Sequence, residues 1–116
     1  MNAGHVRVYK YDATKTTAQT NQSLANYGPA GWNRLGRDID GEASDDSGRS
    51  VSLSADGTIV AIGAPYNDGN GSNSGQVRVY KYDANNNSWN RVGADIDGEA
   101  ADDNLGISVS LSADGT

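Results

Sequence analysis

The sequence has no cysteine, no phenylalanine and a single histidine among its 116 residues. Without cysteine, neither a disulfide nor a thiolate metal site can form. One histidine, His5, is too few for a transition-metal site or a histidine-based catalytic group, and it is expected at an exposed strand edge. No window approaches the roughly 18 apolar residues that a membrane-spanning helix needs. Residues 1–12 lack the apolar stretch of a signal peptide.

Charge and composition narrow the class of protein further. The net charge of −6 at pH 7 argues against nucleic acid or an anionic membrane surface as a partner. Only 35% of the residues are hydrophobic, so a core must be built from aliphatic residues, Tyr and the two Trp. Gly, Asn, Asp and Ser lie between the apolar segments and favour turns over helices. The composition is therefore typical of short strands joined by polar turns.

Three motifs occur twice, in a repeat of about 58 residues. They are VRVYKYD at 6–12 and 77–83, DIDGEA at 38–43 and 95–100, and SVSLSADGT at 50–58 and 108–116. The first copy carries a 14-residue insertion, at about 14–27, between VRVYKYD and the next Trp. Insertions confined to one junction are how loops vary in repeat proteins. We expect this insertion to be a surface excursion whose deletion leaves stability nearly unchanged.

Each repeat contains four short segments with strand patterns. SVSLS alternates between polar and apolar residues, and TIVAIGA is a continuous apolar run that is typical of a strand covered on both faces. The Asp56-Gly57 pair between them is a strong hairpin signal. QVRVYKY and SWNRVG supply the third and fourth strands. The pattern predicts an antiparallel meander with a continuous core that contains Val51, Leu53, Val60, Ile62, Val77 and Val79.

A four-stranded meander that recurs every 40 to 60 residues or so is what a β-propeller blade requires. A β-sandwich or a β-solenoid built from the same hairpins is the alternative. The predicted organisation is a half-blade with the insertion and an acidic linker over 1–48, a complete blade over 49–93, and an acidic linker with the next first strand over 94–116. A blade buries both faces against its neighbours, so we expect a fragment of a longer array that docks onto other protein through open strand edges and blade faces.

The order and spacing of several short motifs resemble the FG-GAP repeat of integrin-α-type β-propellers. The resemblance lies in Leu105-Gly106 at the Phe-Gly position, Gly63-Ala64-Pro65 at the GAP position, and the closing GQVRVY at 75–80. The chain is also similar to long arrays of such repeats in bacterial and algal surface proteins. The resemblance implies a propeller fold, a non-catalytic structural or protein-interaction role, and an extracellular or cell-surface location. The alternatives are a calcium-dependent adhesion or glycan-binding module, and an enzyme whose catalytic residues come from other blades.

No cofactor is predicted from the sequence, and calcium is the one candidate that it offers. The calcium loop that joins the first two strands of integrin-type blades has no counterpart here, because the junction at 54–58 has one carboxylate and is too short. Repeated acidic residues nevertheless form candidate sites, against the alternative of solvated turns: Asp38, Asp40, Glu42, Asp45 and Asp46, and then Asp95, Asp97, Glu99, Asp102 and Asp103. A second, weaker candidate is the loop of Asp68, Asn70 and Ser72, whose alternative is a flexible linker.

The aromatic residues have two interpretations. Tyr and Trp side chains either stack on sugars at a surface or pack between blades, and the second is the commoner use. The residues concerned are Tyr9, Tyr11, Trp32, Tyr80, Tyr82 and Trp89.

Overall fold

The computed structural model describes residues 4–40, 48, 50–65, 71, 73–100, 102, 105–106, 110–112 and 115. All regular structure within these ranges is β-strand, which confirms the all-β prediction. The strands are β1 (His5–Tyr11), β2 (Trp32–Asp40), β3 (Ser50–Leu53), β4 (Ile59–Ala64), β5 (Gln76–Asp83), β6 (Ser88–Arg91) and β7 (Ile96–Asp97). The described part of the chain has no helix long and apolar enough to cross a membrane.

The strands form two antiparallel sheets. Strands β1 and β2 pair as a hairpin that carries the insertion as its connection. Strands β3, β4, β5 and β6 pair in sequence order, and β7 also pairs with β5. The second sheet is thus the predicted four-stranded meander, and the first contains the third and fourth strands of the preceding repeat.

A bulge interrupts β2 after Leu35. Val8 lies opposite Leu35 and Val6 lies opposite Ile39, so residues 36–38 of β2 face the single residue Arg7 of β1. Gly36 accommodates this bulge with a φ of 67°, in the left-handed region that favours glycine.

The second copy repeats this bulge. The amide of Val92 donates to the carbonyl oxygen of Val79 at 2.7 Å, and Ile96 lies opposite Val77, so residues 93–95 face Arg78. Gly93 has a φ of 71°. Strand β7 therefore continues β6 beyond the bulge. The start of DIDGEA, which sequence analysis placed in an acidic linker, belongs to the fourth strand in both copies.

The core lies between the two sheets. Ile39 of β2 packs with Val60 and Ile62 of β4, and partly buried Val6, Tyr80 and Trp89 surround them. Val60 and Ile62 lie on the face of β4 that is turned toward the β1–β2 hairpin. Ala61 and Gly63 alternate with them and lie on the opposite face. Because β4 is covered on both faces, all its residues from Val60 to Ala64 are buried.

The prediction that Val51 and Leu53 are buried is wrong. Each is 48% exposed, although both lie directly opposite buried residues of β4. Among the described residues, the cluster that packs on Val60 and Ile62 does not include Val51 or Leu53, so the apolar side chains of β3 stay half-exposed. Val77 and Val79 are partly buried.

Candidate interaction surface between repeat units

Beside the shared core, the two copies meet where one tryptophan contacts one bulge. The indole Nε1 of Trp89 in β6 donates a hydrogen bond of 2.8 Å to the carbonyl oxygen of Leu35 in β2. The ring lies against Gly36, where an added Cβ would stand 2.8 Å from Trp89 Cδ1. The amide of Gly36 donates to Asn87 Oδ1 at 3.0 Å. We call this arrangement the Trp–Gly contact; it requires a residue without a side chain at the bulge.

The corresponding residues of the two copies differ in exposure according to this contact. Ile39, covered by the following copy, is 7% exposed, whereas its counterpart Ile96 is 53% exposed. Trp89 is partly buried against β2, whereas its counterpart Trp32 is 44% exposed. The Tyr11–Trp32 and Tyr82–Trp89 ring centroids are nevertheless both 5.3 Å apart, with interplanar angles of 67° and 53°. Equivalent residues of the two copies are therefore buried or exposed according to whether a neighbouring repeat covers them.

A second contact joins the complete meander to the next repeat. The amide of Leu105 donates to the carbonyl oxygen of Ser74 at 2.9 Å, and Leu105 forms a parallel bridge with Gly75. Gly106 then lies on Gly63, where an added Cβ would stand 1.9 Å from the carbonyl oxygen of Gly106. Gly106 of the segment that resembles Phe-Gly thus contacts Gly63 of the GAP segment, and this contact joins successive repeats.

Asp38 joins the two strands of the first sheet. Its carboxylate accepts from Arg7 Nε at 2.8 Å and Nη2 at 3.0 Å, and from Arg34 Nη1 at 3.1 Å. The bulge places Asp38 here, since it is the last bulge residue opposite Arg7. The hydrogen bond from Arg7 lowers the pKa of Asp38 below its ordinary value of 3.8, despite partial desolvation. The same hydrogen bond raises the pKa of Arg7.

Asp95 occupies the equivalent place in the second copy. It accepts from Arg78 Nε at 3.1 Å and from Arg91 Nη1 at 2.6 Å. Burial raises the pKa of Asp95, but hydrogen bonds and charge from the two arginines outweigh burial and hold the pKa below 3.8. Gln76 Nε2 also donates to Asp95 Oδ2 at 3.2 Å and to Asp97 Oδ1 at 3.0 Å. These contacts hold the fourth strand against the third in each copy.

The insertion covers one of these clusters and not the other. The ring of Tyr27 lies 4.8 Å from the guanidinium carbon of Arg34, whose Nη2 donates to the carbonyl oxygen of Gln22. The amide of Arg34 donates to the carbonyl oxygen of Tyr27 at 2.8 Å. The Arg34 side chain is consequently 5% exposed, while that of Arg91 is 47% exposed. The insertion lies on the surface, but it also packs on the Asp38 cluster.

The short junction between β3 and β4 uses its carboxylate to hold the turn. Asp56 Oδ1 accepts from Ser54 Oγ at 2.9 Å, Thr58 N at 3.0 Å and Thr58 Oγ1 at 2.7 Å. The side-chain hydrogen bond from Thr58 contributes most to lowering the pKa of Asp56. Gly57 supplies the turn with a φ of 75°.

The predicted calcium ligands are only partly placed. Asp38 and Asp95 form ion pairs with arginine. Asp97 shares a hydrogen-bond donor, Gln76 Nε2, with Asp95. Asp40 and Glu99 are exposed. Glu42, Asp45, Asp46, Asp68, Asn70, Ser72 and Asp103 lie outside the described residues. Among the residues that are described, no group of three or more His, Asp or Glu side chains is arranged to hold a metal ion. Calcium binding stays a prediction.

Sequence reasoning missed the arginines and the Trp–Gly contact. A signal for both was present, because Val-Arg-Val, Trp-Asn-Arg and the glycine two residues later recur in both copies. Arginines that recur together with Asp38 and Asp95 indicate charge pairing. His5 is exposed at the start of β1, opposite Asp40, as expected of a strand edge.

Residues 38–80 of the chain match the family described as FG-GAP repeat. The matched stretch runs from the end of β2 through the β3–β4–β5 part of the meander, and it includes Gly63-Ala64-Pro65. No curated protein and no solved structure matches the chain.

Proposed function

We propose that this chain is a non-catalytic module that builds a larger repeat assembly and binds other protein. The match of residues 38–80 to the FG-GAP repeat, a β-propeller repeat, supports the proposal. FG-GAP repeats are in general structural or interaction units, which supports this role. Four arginines support a structural role further, since each pairs with a carboxylate and fastens strands together: Arg7, Arg34, Arg78 and Arg91. Its partners are further repeats or a larger protein complex.

One observation carries the proposal. The first copy covers Val60 and Ile62 through Ile39, while Ile96, the counterpart of Ile39, has no such cover and is 53% exposed. Each repeat thus provides an apolar face that a neighbouring repeat buries. In repeat proteins this gives a stability that grows with every added interface.

Chains lengthened by one and by two copies of residues 38–94 test the proposal. We expect the free energy of urea unfolding to rise with each added copy, because each copy adds a Trp–Gly contact and an apolar core between sheets. A matched control carries alanine at the Trp89 position of the added copies, which keeps the length and removes the contact. A stability that does not depend on copy number, or that rises equally in the control, would contradict the proposed role.

A further inference from the structure

We propose that two molecules of this chain dock head to tail, with the Val92-Gly93 bulge of one seated on Trp32 of the other. This inference rests on the proposed function, and it names the partner and both surfaces. The template is the Trp–Gly contact inside the chain, in which Trp89 donates to the carbonyl oxygen of Leu35 and covers Gly36. Trp32 is the counterpart of Trp89, and Val92-Gly93 is the counterpart of Leu35-Gly36.

The surface that would receive the bulge, which we call the seat, is an open and apolar depression. Tyr9, Pro29 and Trp32 line a depression of about 430 Å³ on the first sheet. Tyr9 and Trp32 are the counterparts of Tyr80 and Trp89, which pack around Ile39 at the interface within the chain. Tyr11 extends the same aromatic surface through its edge-on contact with Trp32. The depression therefore offers the counterpart of the tryptophan that covers the bulge within the chain, while Ala30 stands where Asn87 accepts from the Gly36 amide.

The bulge that would enter this seat is preformed. Gly93 has a φ of 71°, close to the 67° of Gly36, so its backbone already has the conformation found in the contact. No described atom lies within 4 Å of a Cβ built on Gly93, whereas Trp89 fills that space at Gly36. Val92 and Ile96 flank the glycine and are 49% and 53% exposed.

The two surfaces differ, so their pairing is heterologous. Within the described residues, the seat around Trp32 and the bulge at Gly93 are uncovered, and each docking event uses the seat of one molecule and the bulge of another. Such contacts extend into rings or open chains of molecules. Because each molecule has a net charge of −6, docking is opposed at low ionic strength and strengthened by moderate salt.

Complementation between two variants tests the pairing, measured by sedimentation velocity at 150 mM salt. Trp32→Ala removes the seat, and Gly93→Ala places a methyl group where the partner's indole would lie. We expect the wild-type chain to associate as concentration rises, and each variant alone to associate at least about tenfold more weakly, since buried aromatic anchors carry much of such binding. An equimolar mixture of the two variants keeps one intact seat and one intact bulge, and should give dimers that do not extend.

Gly57→Ala is the matched control for Gly93→Ala. Gly57 also has a left-handed φ, 75°, and open space around an added Cβ, but it lies in the β3–β4 turn away from the bulge. It should lose a similar amount of fold stability and associate like the wild type. A monomeric wild type, association of Gly93→Ala equal to that of Gly57→Ala, or a mixture that stays monomeric would each overturn the inference. If covalently lengthened arrays still gain stability in that case, the proposed function stands while head-to-tail docking fails.

Discussion

Gly63 and Gly106 lie in direct backbone contact, since a Cβ on Gly63 would stand 1.9 Å from the carbonyl oxygen of Gly106 and 2.7 Å from its carbonyl carbon. Gly63 lies within the buried run of β4 from Val60 to Ala64, and Gly106 follows Leu105 in the next repeat. Glycine at position 63 is therefore required by the approach of a neighbouring repeat.

Replacement of Gly63 by alanine should destabilise the chain by about 1–3 kcal/mol, the usual cost of overpacking a buried site. The sign of the effect is informative because Gly63 does not have a positive φ. If no repeat lay against position 63, alanine there would stabilise the folded chain by about 0.4–1 kcal/mol, because it lowers the conformational entropy of the unfolded chain. Urea unfolding followed by circular dichroism gives the difference. A Gly63→Ala chain that is more stable than the wild type would contradict the contact.

Asp38→Asn should cost about 1–3 kcal/mol, the range for a lost charge-assisted hydrogen bond and a buried group left without its partner. Asp95→Asn should cost less, because Arg91 is 47% exposed and water can replace the carboxylate, whereas Arg34 is 5% exposed. Urea unfolding at pH 7 measures both. Equal costs, or a larger cost for Asp95→Asn, would show that burial by the insertion does not determine the strength of the cluster.

The lowered pKa values of Asp38 and Asp95 also predict a pH dependence. A carboxylate whose pKa is lower in the folded chain stabilises the fold above its ordinary pKa of 3.8, and this contribution is lost as the pH falls through the folded-state pKa. The free energy of unfolding should therefore decline below about pH 5 and most steeply below 3.8. Asp38→Asn should flatten part of this decline. A variant whose stability falls with acid as steeply as the wild type would be inconsistent with the Arg7–Asp38 pair.

Much of the meander could be predicted from the sequence. Period-2 alternation, the apolar run of β4 and the Asp56-Gly57 turn are local signals, and each corresponds to an observed strand or hairpin. The exposure of Val51 and Leu53 could not be predicted in this way, because it depends on which part of the sheet another unit covers. Alternation shows that two residues share a face, but not whether another unit covers that face.

The Asp38 cluster shows a different limit of sequence reasoning. The acidic pattern of DIDGEA predicted clustered carboxylates in a turn, yet a three-residue bulge places one carboxylate of each copy beside an arginine of the adjacent strand. The register of that bulge is set by Gly36 and Gly93, which have left-handed backbones. Once the bulge is known, the attraction of opposite charges explains why each aspartate pairs with an arginine.

Tyr27→Ala should destabilise the chain by about 1 kcal/mol, because the ring covers the guanidinium of Arg34 at 4.8 Å and reaches that of Arg7 at 5.8 Å. Leu24→Ala is the control within the same insertion, since Leu24 is 40% exposed, and it should change stability little. Thermal unfolding of the two variants compares them directly. Equal melting temperatures would mean that the insertion only lies on the surface, as the sequence alone suggested.

The central claim is that one repeat docks on the next through the Trp–Gly contact. A double-mutant cycle between Gly36→Ala and Trp89→Ala, measured by urea unfolding, tests it most directly. At Gly36 the methyl group would stand 2.8 Å from Trp89 Cδ1, in addition to the backbone strain of alanine at a φ of 67°. We predict that Gly36→Ala costs at least about 1 kcal/mol more when Trp89 is present than when it is replaced, within the usual range for residues in contact. A cost that is the same in both backgrounds would contradict the contact.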